Sequence, residues 1–206
     1  MKITRLVVGE LQTNCFLVSD NDGETIIIDP GDSPEHIQRE IESRNLTPRK
    51  IICTHGHPDH TFAAGLLQSR LNLDMVIHES DRWLVEAGPG ELEMFFDMSD
   101  YAAPVLGKCL EDGDIIEVGS LKMSVIHTPG HTPGGVSILC DGELFSGDTL
   151  FAGGVGRTDL PRGSQAELMR SIETRLLVLD DNTRVYPGHG PETTIGEEKR
   201  DNPWLR

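Results

Sequence analysis

The chain has 206 residues, 37% of them hydrophobic and 25% charged, which excludes a disordered polymer and gives length enough for one domain with a sizeable core. A formal net charge of −16 argues against a nucleic-acid partner, since phosphate backbones are gripped by Lys and Arg. No apolar run approaches the roughly 18 residues of a membrane-spanning helix, so no membrane partner is expected.

Met1 to Val8 is basic and then apolar, too short for a secretion signal, and predicts a first strand. Cys15 to Ser19 and Glu24 to Asp29 flank Asp20-Asn21-Asp22-Gly23, a hairpin signal. Ser33 as N-cap, with Pro34 in the first turn, predicts a helix to about Arg44. A strand over Lys50 to Thr54, a helix over Thr61 to Leu71, a strand over Asp74 to Ile77 and a short helix over Asp81 to Ala87 follow. Residues 88 to 107 gather Met94, Phe95, Phe96, Met98 and Tyr101 without a clear period. They read either as a loop burying its own side chains or as a flap over a site.

Strands come closely after that: Asp114 to Val118, Leu121 to His127, Gly135 to Cys140 and Glu143 to Ser146, with tight turns at Gly119-Ser120 and Asp141-Gly142. Ser164 and Glu167 have capping-box spacing and open a helix whose apolar stripe is Leu168, Ile172, Leu176 and Leu179. Val185 to Tyr186 is a last strand. Helices early and late around antiparallel strands suit two packed sheets with helices outside, an α/β (α+β) sandwich in one domain over residues 1–206. Cys15, Cys53, Cys109 and Cys140 form no CxxC pair; without a secretion signal they are expected to be free thiols, and a cytoplasmic location follows.

The chemistry concentrates in Thr54-His55-Gly56-His57-Pro58-Asp59-His60, three histidines and an aspartate just after an apolar strand. Imidazole and carboxylate are the usual zinc ligands outside cysteine sites. His55 and His57, two apart, point the same way in extended chain and can hold one ion. The turn at Pro58 would aim Asp59 and His60 at a second. His131, Asp148 and His189 each follow a predicted strand, with a glycine immediately before. Together the seven supply enough ligands for two ions and an open position. Zinc is the expected ion, and iron or manganese are compatible with the same donors.

The order His55-x-His57-x-Asp59-His60, His131, Asp148, His189 is similar to the metallo-β-lactamase fold superfamily. Thr13-Asn14-Cys15, Phe145 to Phe151, Gly156-Arg157-Thr158-Asp159 and Pro187 to Lys199 resemble its hydroxyacylglutathione hydrolase (glyoxalase II) branch in a short single-domain form. The resemblance implies a four-layer αββα sandwich. It implies a first ion on His55, His57 and His131, a second on Asp59, His60 and His189, and Asp148 bridging, with Asp59 and Asp148 as the catalytic carboxylates. The expected activity is attack of hydroxide, available at neutral pH beside two cations, on a small-molecule thioester or ester.

Persulfide dioxygenases share the histidine cluster and a Gly-Arg-Thr-Asp segment. They would use one iron on His55, His131 and Asp148, whereas Pro187 to Thr194 reads as hydrolase-like. A lactone or another ester is a further possible substrate. With a short tail after His189, the C-terminal helical domain of larger relatives is not expected. Arg157 and Arg162 are therefore the candidates for contacting an anionic thioester, with an Arg157–Asp159 brace as the alternative. His36 and His78 read as solvated and structural residues, and His127 either as structural or as orienting a ligand.

Overall fold

The apolar runs assemble into two sheets. The computed structural model describes residues 1–205, apart from the side chains of residues 91 and 92. In the first sheet β1 (Lys2–Val8), β2 (Thr13–Ser19), β3 (Glu24–Ile28), β4 (Thr47–Ile52) and β5 (Asp74–Val76) lie in that order. β1 to β3 are antiparallel, while β3, β4 and β5 are parallel. Parallel neighbours need crossovers. These are α1 (Pro34–Ser43), then α2 (Pro58–Thr61) with α3 (Ala64–Leu71).

After α4 (Arg82–Ala87) the chain builds the second sheet. Its strands in chain order are β6 (Ile115–Val118), β7 (Leu121–His127), β8 (Val136–Cys140) and β9 (Glu143–Gly147). A small hairpin, β10 (Leu150–Phe151) and β11 (Gly154–Val155), and the helix α5 (Gln165–Ser171) lead to β12 (Arg184–Pro187), β13 (Thr193–Thr194) and α6 (Ile195–Asp201). The spatial order is β13-β12-β9-β8-β7-β6, and only β12 and β9 run parallel.

The two-residue alternation of strands decides the layers. Phe16, Val18, Ile26, Ile28 and Ile52 face Met123, Val125, Ile138 and Phe145 across the sandwich. Leu17, Ile27 and Ile51 face the other way, onto Ile37, Ile41 and Leu67 of the helices. Leu144 and Val185 meet Leu168, Ile172, Leu176 and Ile195 on the outer face of the second sheet. The result is the expected four-layer αββα sandwich. β2 is buried at every position because both of its faces are covered.

Some local expectations are corrected. Ser33 precedes α1, but its φ of 54° is left-handed and its hydroxyl donates to Asp32 instead of capping. The predicted helix over residues 61–71 is two helices, interrupted after Thr61. The turn ahead of α5 is capped as expected, with Ser164 accepting the Glu167 N–H, and the stripe runs on through a wider π turn at Ile172–Leu176. β10, β11 and α6 lie outside the predicted elements. α6 opens with a two-way capping box of Thr194 and Glu197. All four cysteines are free thiols. Among the described residues no helix is long and apolar enough to cross a membrane.

Candidate metal centre

The seven singled-out residues converge on one edge of the sandwich, where loops of both sheets meet. Beyond β4, the Thr54 carbonyl accepts the Val136 N–H of β8 at 2.8 Å, so the sheets are joined beside His55. His57 is extended (φ −66°, ψ 145°), and Pro58 then starts the single turn of α2 that carries Asp59 and His60. His131 lies in the β7–β8 loop, Asp148 follows β9 and His189 follows β12. The glycines before these ligands serve close approach. A Cβ on Gly188 would lie 2.2 Å from Asp148 Oδ1, and one on Gly147, at φ 49°, would lie 2.4 Å from Thr54 Oγ1.

Three groups of side chains bring their ligand atoms within 4.8 Å of one another: His55, His57 and His131; His55, His60 and Asp148; Asp59, His60 and His189. Asp148 faces both ends of the cluster. Its Oδ1 is 3.4 Å from His60 Nε2, and its Oδ2 is 3.6 Å from His131 Nε2 and 3.7 Å from His189 Nε2. Asp59 Oδ2 is 3.2 Å from His189 Nε2 and 3.6 Å from His60 Nε2.

Hydrogen bonds outside the cluster decide which ring nitrogens are free. The Arg157 carbonyl can only accept, so His131 Nδ1–H donates to it at 2.7 Å and Nε2 keeps its lone pair. Asp29 accepts from His60 Nδ1 at 3.0 Å and from the Thr54 hydroxyl at 2.7 Å. That hydroxyl, its proton committed, accepts from His55 Nδ1 at 3.2 Å. His55 Nε2, His60 Nε2 and Asp148 Oδ1 are left buried with no hydrogen-bond partner among the described residues. Buried acceptors normally find partners, and His57 Nδ1 also stands 2.9 Å from His131 Nε2. Lone pairs converging in this way fit a bound cation, so the residues present suit the divalent ions that zinc-type donor sets hold.

Burial and the surrounding imidazoles hold His55 well below the ordinary histidine range, and burial with His131 brings His57 down to about 3. Both are therefore neutral, as ligation requires. Burial alone would lower His60, but Asp148, Asp59 and Asp29 push it up to about 10. Burial opposes the ionisation of Asp59, yet His60, His189 and His57 keep its carboxyl well below the usual range.

Arg157 binds both oxygens of Asp159 at 2.7 Å, the bracing arrangement, and Arg162 lies 4.2 Å over the Trp83 ring. His127 stacks on His78 at 4.2 Å, and its Nε2 sits 2.9 Å from the Pro133 carbonyl of the His131 loop. His36 is half-buried in α1. In residues 88–107, Phe96 stacks on Phe62 at 4.3 Å with Tyr101 beside it, while Met94, Phe95 and Met98 are exposed. The segment therefore buries only part of its apolar set. Two carboxylates that the sequence does not mark as site residues, Asp29 and Asp81, belong to the surroundings of the cluster. Both are buried, and both accept hydrogen bonds from the ligand loops.

With this fold and donor set on one edge, comparison with known proteins agrees. The metallo-beta-lactamase superfamily model matches residues 8–189, and the chain belongs to that superfamily. It is similar to hydroxyacylglutathione hydrolase GloC of Haemophilus influenzae, 37% identical over all of this chain and 98% of that one. Among solved structures, the BLEG-1 B3 metallo-beta-lactamase superposes with a TM-score of 0.89 at 34% identity, covering 99% of each chain. A di-iron-bound form of TTHA1623 superposes at 0.88 with 38% identity, over 98% of this chain and 100% of that one. Family and site together describe a metallo-hydrolase-type enzyme that binds divalent metal.

Proposed function

We propose that the protein hydrolyses thioesters of the S-lactoylglutathione type with two divalent ions, zinc first among them. The carrying observation is the second ligand group. Asp59, His60 and His189 assemble beside His55, His57 and His131, with Asp148 turned to both. A mononuclear oxygenase centre needs only three of these seven. The activity named for the Haemophilus relative, aligned over the whole chain, supports the substrate class.

When bound, such ions would supply an acidified water, its pKa brought down to about 7, and a polarised carbonyl. The chain's own part is to hold them and orient the substrate. His55, His57 and His131 would take the first ion, Asp59, His60 and His189 the second, and Asp148 both. The carboxylates of Asp59 and Asp148 bring the negative charge that two cations require. No side-chain nucleophile is called for: Cys53 is fully buried, its Sγ directed at the His60 carbonyl, and burial pushes its thiol well up. A cytoplasmic site of action is part of the same proposal, consistent with four free thiols.

The test uses protein purified without added metal and then loaded with zinc, iron or manganese. S-lactoylglutathione turnover is measured beside oxygen consumption with a persulfide and opening of a β-lactam. Thioester turnover with about two ions per chain is the expected result. Oxygen uptake with one iron per chain, or no thioester turnover with any metal, contradicts the proposal.

A further inference from the structure

Asp81 ends a short helical turn just before α4, and its side chain has no exposure to solvent. Its hydrogen-bond partners belong to the two loops that carry His55, His57 and His131. Oδ2 accepts from the Gly56 N–H at 3.0 Å and from the Thr132 hydroxyl at 2.6 Å; Oδ1 accepts from the Gly134 N–H at 2.6 Å. Gly56 lies between His55 and His57, and Thr132 follows His131. One loop leaves the first sheet after β4 and the other joins β7 to β8 in the second.

The backbones press directly on residue 81. A Cβ on Gly134 would lie 2.6 Å from the Asp81 carboxyl carbon, and one on Gly56 would lie 2.8 Å from the Asp81 carbonyl oxygen. Where the loops face each other, His57 Nδ1 and His131 Nε2 stand 2.9 Å apart. Asp81 touches neither ring. Its hydrogen bonds reach the two loops through the Gly56 and Gly134 backbones and the Thr132 hydroxyl.

We propose that Asp81 is the positioning residue of the first ligand group, a buried carboxylate that clamps the His55–His57 loop to the His131 loop across the two sheets and so sets that group's affinity for its ion. The proposal rests on the ligand assignment above and is independent of the thioester substrate. A carboxylate is specifically suited to the place. It presents two accepting oxygens to three donors, whereas an amide of the same shape turns an N–H toward at least one of them.

The experiment is a stepwise zinc titration of metal-free protein against a chromophoric chelator, with urea unfolding of the same metal-free samples. Asp81→Asn is expected to weaken the first ion about ten- to hundredfold, the usual cost of losing a partner behind a metal ligand, and the second by less than about threefold. Thr132→Val removes one donor at nearly constant shape and should weaken the first ion by a smaller factor. It also carries the test if Asp81→Asn does not fold. In a His131→Ala background, where the first group is already broken, Asp81→Asn should leave the remaining zinc affinity unchanged, because the two residues act on one ion. Lower urea midpoints with both zinc affinities unchanged would make Asp81 a fold brace only and overturn the proposal. So would an equal weakening of both ions. A wild-type protein that binds no zinc would instead overturn the ligand assignment, and this inference with it.

Discussion

The ligand loops and the segment of residues 88–107 are alike in lacking long regular structure, yet they are held in opposite ways. The ligand loops are tied by buried polar groups. Asp29 accepts from Thr54 and His60, Asp81 from Gly56, Thr132 and Gly134, and the Asn14 side-chain amide donates to the Pro187 and Gly190 carbonyls on either side of His189. The other segment rests on the Phe62–Phe96 stack and on Gln68, whose amide exchanges hydrogen bonds with the Val105 backbone. Its Met94 and Val105 are 79% and 73% exposed. Buried polar ties are concentrated at the histidine and aspartate loops, and the segment of residues 88–107 is held mainly by apolar and partly exposed contacts.

The sharpest break of that comparison is inside the cluster. Asp148→Asn removes the negative charge that faces both ends, and should cost at least one ion per chain and about a hundredfold or more in turnover with the fold retained; metal analysis and circular dichroism check it. Asp29→Asn disturbs the same loops from behind. It should weaken metal retention about tenfold to a hundredfold, because an amide has one accepting oxygen for the Thr54 N–H, the Thr54 hydroxyl and His60 Nδ1 and turns an N–H toward at least one of them, and a chelator competition reads the change. Phe96→Ala should do the reverse. Metal content stays at the wild-type value and turnover changes less than about threefold, while limited proteolysis between residues 88 and 105 speeds up. The smallest effect is expected for Arg157→Ala. The exposed Arg157–Asp159 pair is locally neutral, and the bond to His131 uses the backbone carbonyl, which any residue keeps. KM should shift less than about twofold, and equally, for S-lactoylglutathione and a neutral thioester. A larger rise for the charged substrate alone would return Arg157 to the substrate site.

What is legible in the sequence follows from whether a signal is local or tertiary. The cluster is readable because three histidines crowded within six residues, directly after an apolar strand, are costly to bring together without a shared partner, and the structure does bring them together with His131, Asp148 and His189. The strands of the second sheet are readable because turn residues separate them, and Asp141 and Gly142 do adopt the left-handed φ values, 50° and 81°, of a tight turn. α6 has its signal in Thr194-x-x-Glu197, the same spacing as at Ser164, but the stretch around it stands out first for its likeness to a hydrolase tail. The break after Thr61 has no local signal, since Phe62 and Ala63 are compatible with a helix and the interruption is tertiary: the Ala63 N–H donates to the Pro30 carbonyl. Asp29 and Asp81 are invisible as site residues for a related reason. A single aspartate looks alike in any turn, and only the meeting of two loops makes it a buried acceptor.

In the proposed centre, seven side chains hold two ions with Asp148 shared between them. Anomalous diffraction from crystals of the zinc-loaded protein tests it most directly. Two peaks are expected, one among His55, His57 and His131 and one among Asp59, His60 and His189, each within about 2.2 Å of an Asp148 oxygen. One fully occupied peak, with Asp59, His60 and His189 turned away from it, would contradict the account.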